Sequence, residues 1–289
     1  MKIGYVTDSG SDIDPNYADK IGVKVVPLSI TFSDEGDNVV HKEDRNFDLD
    51  SYYAKYDTVD DFFAKTAQPT PHEFFTAYEE LAKDGIKDII VVPLSSGLSG
   101  TLNSARLGAN MLKRKNKDIK VHLVDSLNAS YSEVLLIEKG MKLQKEGLDA
   151  EAIVKDLKEQ VKNIKTYILF PTLKYLRKSG RISVTKYILG TLLKKRPIVV
   201  VNSEGKNVVA TSVTDTDEGI FKILELTSEN FSRIPKQVVI IHGNNLELAG
   251  RMKKQLKKHF KGTKIVIRCT GVTISAHTGP DVLALISEF

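Results

Sequence analysis

Residues 88–101 read Asp-Ile-Ile-Val-Val-Pro-Leu-Ser-Ser-Gly-Leu-Ser-Gly-Thr, and no other stretch constrains the fold as much. The run Asp88–Leu94 is continuously apolar after its first residue, as expected of a strand buried on both faces of a sheet. A sheet covered on both faces is built from parallel strands joined by crossover helices. The Ser/Gly loop and the helix-like segment Ser99–Arg114 fit one such crossover. The first half repeats the pattern. Lys2–Thr7, Val23–Ile30 and Ile119–Asp125 read as strands; Pro71–Lys83, Ala129–Glu146 and Glu151–Lys165 read as helices. In the last, Val154, Leu157 and Val161 fall on one helical face.

The second half has another rhythm. Short strands are expected at Tyr167–Phe170, Pro197–Val201, Val208–Ser212, Gln237–His242, Lys264–Arg268 and Val272–Ala276, with a hairpin around Ser203–Lys206. Helices are expected at Asp215–Leu226 and Leu246–Phe260. The expectation is a two-domain α/β chain: residues 1–165 form a larger α/β/α domain with a parallel sheet, and residues 166–289 a smaller α/β domain with a mixed sheet. The polar segment Val39–Ala67 reads as a long excursion with a short helix, able to wall a site.

A single cysteine, Cys269, excludes an internal disulfide and fits a reducing compartment. Neither a signal-like leader nor a run long enough to cross a bilayer is evident, so a cytoplasmic location is expected. The formal charge of +5 leaves acidic partners, anionic lipid and nucleic acid open. Tryptophan is absent, and no aromatic-interleaved basic motif of the RNA-binding kind is found. P-loop and dinucleotide fingerprints are missing, and His72-Glu73 lacks the second histidine of a zinc-protease helix. One cysteine also rules out cysteine-rich zinc sites. The Ser-Ser-Gly-Leu-Ser-Gly loop falls short of a nucleophile elbow, because Ser99 is followed two residues on by Thr101.

Five loops carry polar chemistry at strand or helix ends. The 95–101 loop offers the hydroxyls of Ser96, Ser99 and Thr101, two glycines for close backbone approach, and a helix N-terminus. Its plain alternative is a helix cap at Ser95 or Ser99. In Thr66-Ala-Gln-Pro-Thr70, Thr70 before Pro71 is a natural N-cap, whereas Thr66 lies outside the cap. Thr7–Asp12 follows the first strand and offers Ser11 or Asp12 as caps. Leu176–Ser183 gathers Arg177, Lys178 and Arg181 about a Ser-Gly turn, either a solvated face or a set of anion contacts. Ser275–Pro280 places His277 among small and hydroxyl residues.

Taken in order, these residues resemble a known family. Thr-Asp-Ser at 7–9, Thr-x-Gln-Pro at 66–69, Leu-Ser-Ser-Gly-Leu-Ser-Gly-Thr at 94–101, Val-Asp-Ser at 124–126, Lys-Ser-Gly-Arg-Ile at 178–182, Lys-x-Arg-Pro-Ile at 194–198 and Ser-Ala-His-Thr-Gly-Pro at 275–280 run collinearly. The pattern is similar to that of the DegV family of fatty-acid-binding proteins, also called FakB. The resemblance implies the two-domain DegV-like fold and a long-chain fatty acid in an internal tunnel. It implies a non-catalytic carrier that presents the carboxylate to a separate ATP-dependent fatty acid kinase. The acyl-phosphate so formed would feed phospholipid synthesis. It implies carboxylate contacts from Thr66 and Ser99 with His277 beside them, Ser96 joining from the same loop. Arg181, with Arg177 and Lys178, would lie at the rim for kinase docking. No cofactor, metal or nucleic acid is implied, and a monomer is expected. Ala67 and Gly10 depart from the residues more usual in the family.

Two alternatives remain at this level: a hydrolase or acyltransferase using Ser99 and His277, and a nucleic-acid binder suggested only by charge. The run Arg251–Lys264 carries seven cations and no acid. Leu248, Met252, Leu256 and Phe260 form its inner face. It reads as a solvated helix face or as a footing on an anionic membrane surface or acidic partner.

Overall fold

The computed structural model describes residues 2–35, 39–43, 47–182, 195–229 and 234–289. Lys194 and Ser183 of the motifs above lie outside the described residues. The chain divides into two units, residues 1–48 with 65–162, and residues 49–64 with 163–289. The elements of the first half are β1 (Ile3–Asp8), α1 (Pro15–Ile21), β2 (Val23–Val26), β3 (Ser29–Phe32), β4 (His41–Lys42), α2 (Leu49–Thr58), β5 (Ala64–Ala67), α3 (Pro71–Lys83), β6 (Asp88–Val91), α4 (Thr101–Lys115), β7 (Lys120–Leu123), α5 (Ser132–Lys145) and α6 (Ala150–Gln160).

The first unit is built on a parallel sheet of order β2-β1-β6-β7. Tyr5 stands opposite Val23 on one side and Ile90 on the other, and Ile90 opposite His122. All four residues of β6 are buried, which is why its sequence shows no alternation. Against the sheet lie Phe74, Tyr78 and Leu81 of α3 and Ala105 and Leu112 of α4, packed with Val6, Val26, Ile89 and Val91. The start of α3 follows its local code. Thr70 accepts from the Glu73 amide, Glu73 reaches back to the Thr70 amide, and Pro71 opens the first turn. A smaller sheet, β4-β3-β5, accompanies the main one, so the run Val23–Ile30 is split between two sheets where one strand was expected.

The second unit contains β8 (Ile164–Leu169), α7 (Lys174–Lys178), β9 (Arg196–Val201), β10 (Asn207–Val213), α8 (Thr216–Glu229), β11 (Gln237–His242), α9 (Leu246–His259), β12 (Lys264–Cys269), α10 (Val272–Thr278) and β13 (Leu283–Glu288). Its sheet has the order β10-β9-β8-β13-β11-β12. The pairing β11–β12 is parallel and the other four are antiparallel, so the sheet is mixed. The hairpin β9–β10 turns at Asn202–Lys206, where the Asn202 side chain accepts from the Glu204 and Lys206 amides. Ile220, Ile223 and Leu224 of α8 and Met252, Leu256 and Phe260 of α9 and its cap pack with Leu169, Ile198, Ile240 and Leu285. The inner face read from residues 248–260 is therefore core.

Two expectations need correction. Val272–Ala276, read as a strand from its β-branched residues, is the start of helix α10. Its Val272, Thr273, Ser275 and Ala276 are all buried, and tertiary packing overrides the local propensity. Residues 49–64, placed by sequence with the first domain, belong to the second unit. Tyr53 bonds to Thr270 (2.6 Å) and Tyr52 to Ser275 (3.1 Å), and these contacts outweigh chain proximity.

Candidate functional site

In the first unit, the strand ends of β1 and β6 and the start of α4 converge through side-chain hydrogen bonds. Asp8, fully buried, accepts from the Gly10 amide and from the Leu94 amide, each at 2.8 Å. It fixes the Thr-Asp-Ser turn against the strand end that feeds the Ser/Gly loop. Burial pushes the Asp8 carboxyl up to about 6, against the opposing pull of those two amides. Beside it, Glu133 of α5 is also fully buried. Burial first, and then the charge of Asp8, hold its carboxyl well above the usual range.

The 95–101 loop is a compact turn. The Leu98 and Ser99 amides both donate to the Ser95 carbonyl at 3.0 Å, and the Gly97 amide donates to the Ser95 hydroxyl. Helix α4 begins after Gly100 with no side-chain cap, so neither Ser95 nor Ser99 does the plain capping job. The Ser99 hydroxyl lies 2.8 Å from that of Thr101 and accepts from the Thr101 amide at 3.3 Å. Ser96 is turned elsewhere. Its hydroxyl (2.5 Å) and its amide (3.2 Å) both donate to Asp125 of the Val-Asp-Ser motif. A carboxylate already holds both Ser96 donors, which leaves Ser99 and Thr101 as the hydroxyl pair at the mouth of the helix.

Thr66 sits half-buried in β5. Two residues on, Gln68 donates to the Ser104 hydroxyl at 2.9 Å. Its amide group covers Gly100 so closely that a β-carbon there would come within 1.9 Å of Gln68 Oε1. A side chain at 100 would therefore have to push the Gln68 amide aside. The structure brings the Thr-x-Gln-Pro loop onto the start of α4 through Gln68, a residue to which the sequence assigned no role. The collinear Gln-Pro and Ser-Gly-Thr motifs were the available signal.

In the second unit, α7 ends in a glycine-capped turn. Gly180 has φ +72, its amide donates to the Arg177 carbonyl, and the Arg181 amide donates to the Leu176 carbonyl. That turn explains the Ser-Gly pair between cations. Arg181 folds back to donate to the Ser179 carbonyl at 2.5 Å. Arg177 is exposed on α7. Lys178 pairs with Asp61 at 3.5 Å and lies 3.4 Å above the Phe63 ring. His277 lies on α10. Burial, and secondly the positive charge of Arg181, push its imidazole down to about 4, so it is neutral at physiological pH. Gly279, with φ +74, lies under the Tyr175 ring, where a β-carbon would meet the ring at 2.2 Å. The His-Thr-Gly motif therefore records a backbone that only glycine fits. Also in this unit, a hollow of about 580 Å³ opens between β10 and α8, lined by Thr211, Phe221, Lys222, Glu225 and His259 among others. No residue expected at the carboxylate lines it. Among the described residues no cluster of His, Cys, Asp and Glu could hold a metal ion, and no helix is long and apolar enough to cross a membrane.

A strand-end hydroxyl loop in a parallel α/β unit and a buried neutral histidine in a mixed α/β unit mark a protein of two-unit α/β architecture. Comparison with known proteins gives the family. The model of the DegV family, described as an uncharacterised protein family, matches residues 2–289, and the chain belongs to it. DegV domain-containing protein SA1258 of Staphylococcus aureus (strain N315) is 34% identical over 97% of this chain and 96% of its own. The crystal structure of DegV from Bacillus subtilis, a fatty acid binding protein, superposes with a TM-score of 0.87 at 28% identity, covering 100% of this chain and 99% of that one. The Streptococcus pneumoniae Fatty Acid Kinase B3 protein, loaded with linoleic acid, shares the fold with a TM-score of 0.84 at 23% identity, over 100% of this chain and 99% of that one.

Proposed function

We propose that this protein binds a long-chain fatty acid in an internal tunnel and presents its carboxylate to a separate ATP-dependent kinase. It acts as a monomeric, non-catalytic carrier in the cytoplasm, and the resulting acyl-phosphate serves phospholipid synthesis. The observation that carries the reading is full-length membership of a family that includes a fatty acid binding protein of 28% identity. The chemistry of the two units supports it. Ser99 and Thr101 supply hydroxyls at a helix start, and Thr66 supplies another from β5. His277 supplies a neutral imidazole that can donate to or accept from a carboxyl group without adding charge. Burial of the chain gains about 0.8 kcal/mol per methylene, while a buried carboxylate must be hydrogen-bonded. Arg181 and the exposed Arg177 are suited to meet the negative charge that spreads during phosphoryl transfer. Lys178, though partly held by Asp61, adds to the same rim. The cation-bearing face of α9 gives such a carrier an electrostatic footing on an anionic membrane surface.

The test is solvent extraction of the purified protein followed by mass spectrometry. A roughly stoichiometric long-chain fatty acid is expected, much reduced in the Thr66→Ala/Ser99→Ala variant. Absence of lipid, together with failure to load added fatty acid, overturns the reading. Ester turnover abolished by Ser99→Ala would favour a hydrolase using Ser99 and His277.

A further inference from the structure

Helix α10, which carries His277, has seven residues, and α7, which leads to Arg181, has five. Helices of one or two turns do not hold themselves together in water; something outside them must fix their place. Within the second unit that something is residues 52–63, which reach it from the first half of the chain.

The contacts fall on both sides of His277. Two residues before it, the Ser275 hydroxyl lies 3.1 Å from the Tyr52 hydroxyl, and the Ser275 carbonyl accepts from the Tyr56 hydroxyl at 3.4 Å. The two tyrosine hydroxyls are 2.8 Å apart. At the entry to α10, the Tyr53 hydroxyl meets the Thr270 hydroxyl at 2.6 Å and its carbonyl at 3.1 Å. Two residues after His277, Gly279 is covered by the ring of Tyr175, which belongs to α7. Tyr175 meets Tyr56 edge-on, with centroids 5.6 Å apart. Tyr56 thus touches both short helices. Asp61 then ties down α7 itself, pairing with Lys174 at 2.5 Å and Lys178 at 3.5 Å. Phenylalanines would fill the same volume as Tyr52, Tyr53 and Tyr56; the hydroxyls are what single out Ser275 and Thr270.

We propose that Tyr52, Tyr56 and Asp61 are positioning residues for the ligand site, a bracket that sets the His277 helix and the Arg181 turn in one fixed register. The proposal rests on the carrier reading for its biological sense but not for its test. The bracket keeps the imidazole dry and holds the Arg181 guanidinium near it. Loosening the bracket admits water to His277 and lets Arg181 drift, and both changes favour the protonated ring.

The experiment compares the wild-type chain with Asp61→Asn, Tyr56→Phe and the double variant. Asp61 has φ +50, a conformation that asparagine adopts readily, so Asp61→Asn removes the charge without backbone strain. The readouts are the His277 titration by NMR, assigned with His277→Gln, and the affinity for oleate. Wild type is expected to titrate near 4. The double variant is expected about one unit higher, with oleate bound about five- to tenfold more weakly. An unchanged His277 titration and unchanged affinity in the folded double variant overturn the bracket. Should the double variant fail to fold, Asp61→Asn alone, at an exposed position, decides by the same titration. If wild type binds no oleate, the carrier reading falls, and the histidine titration still decides the bracket.

Discussion

The Thr7 hydroxyl donates to the Glu133 carboxyl at 2.8 Å, across 126 positions of the chain. The Thr7 hydroxyl has one hydrogen, and it is also 2.8 Å from the Val92 carbonyl, which can only accept. The second contact is satisfied when Glu133 is protonated, as its complete burial beside Asp8 favours. Burial under the strand ends of the first unit thus biases this carboxyl toward its neutral form.

Glu133→Gln is expected to stabilise the protein at neutral pH. The amide can donate to Thr7 and free the Thr7 hydrogen for the Val92 carbonyl, without any ionised form to suppress. A rise in melting temperature of about 3 °C or more checks this; a fall would mean that the carboxylate is the working form.

The same carboxyls set the sign of the pH dependence. Asp8 and Glu133 have folded-state values above their unfolded ones, so the folded chain binds more protons in the window between. Stability contributed by the bound protons is fully present below the unfolded carboxylate range. It is lost as pH rises through the folded values, which for Asp8 means through about 6. Chemical denaturation between roughly pH 4 and pH 7 is expected to show stability declining with pH as Asp8 gives up its proton.

Ser96 and Ser99 are expected to separate by phenotype. Ser96→Ala removes the hydroxyl that donates to Asp125 and costs about 1 kcal/mol of stability, with the smaller effect on fatty-acid retention. Ser99→Ala leaves Asp125 satisfied and is expected to weaken fatty-acid binding about tenfold. Parallel melting curves and fatty-acid titrations read both.

Gly279→Ala is expected to cost about 2 kcal/mol or more. The backbone at φ +74, ψ −179 is essentially reserved for glycine, and the new methyl would strike the Tyr175 ring. A denaturant midpoint near wild type would refute this.

The sequence revealed most where the determinants were local. Thr70-Pro71-x-Glu73 announces the α3 start, and residues 88–94 announce a strand buried on both faces, because caps and burial patterns are written in neighbouring residues. Val272–Ala276 misled because burial in the second unit overrides the preference of a short β-branched run. Ser96 could be named as a hydroxyl, but its capture by Asp125, 29 residues on, is a matter of tertiary geometry. The membership of residues 49–64 in the second unit depends on contacts such as Tyr53 to Thr270, 217 positions apart, for which no local pattern exists. The family motifs marked the loops but left Gln68, Asp61 and the tyrosines without a task.

The excursion at 49–64 also makes the polypeptide's order of manufacture matter. As the chain leaves the ribosome from its N-terminus, Tyr52, Tyr53 and Tyr56 emerge long before Thr270 and Ser275 exist to receive them. The first unit has its full complement of residues once position 162 has emerged, but it must fold around a loop of aromatic side chains with no home yet. Cutting the gene at the apparent boundary yields a C-terminal fragment without its tyrosines and an N-terminal fragment with apolar rings to hide. Neither unit is one contiguous stretch of the reading frame.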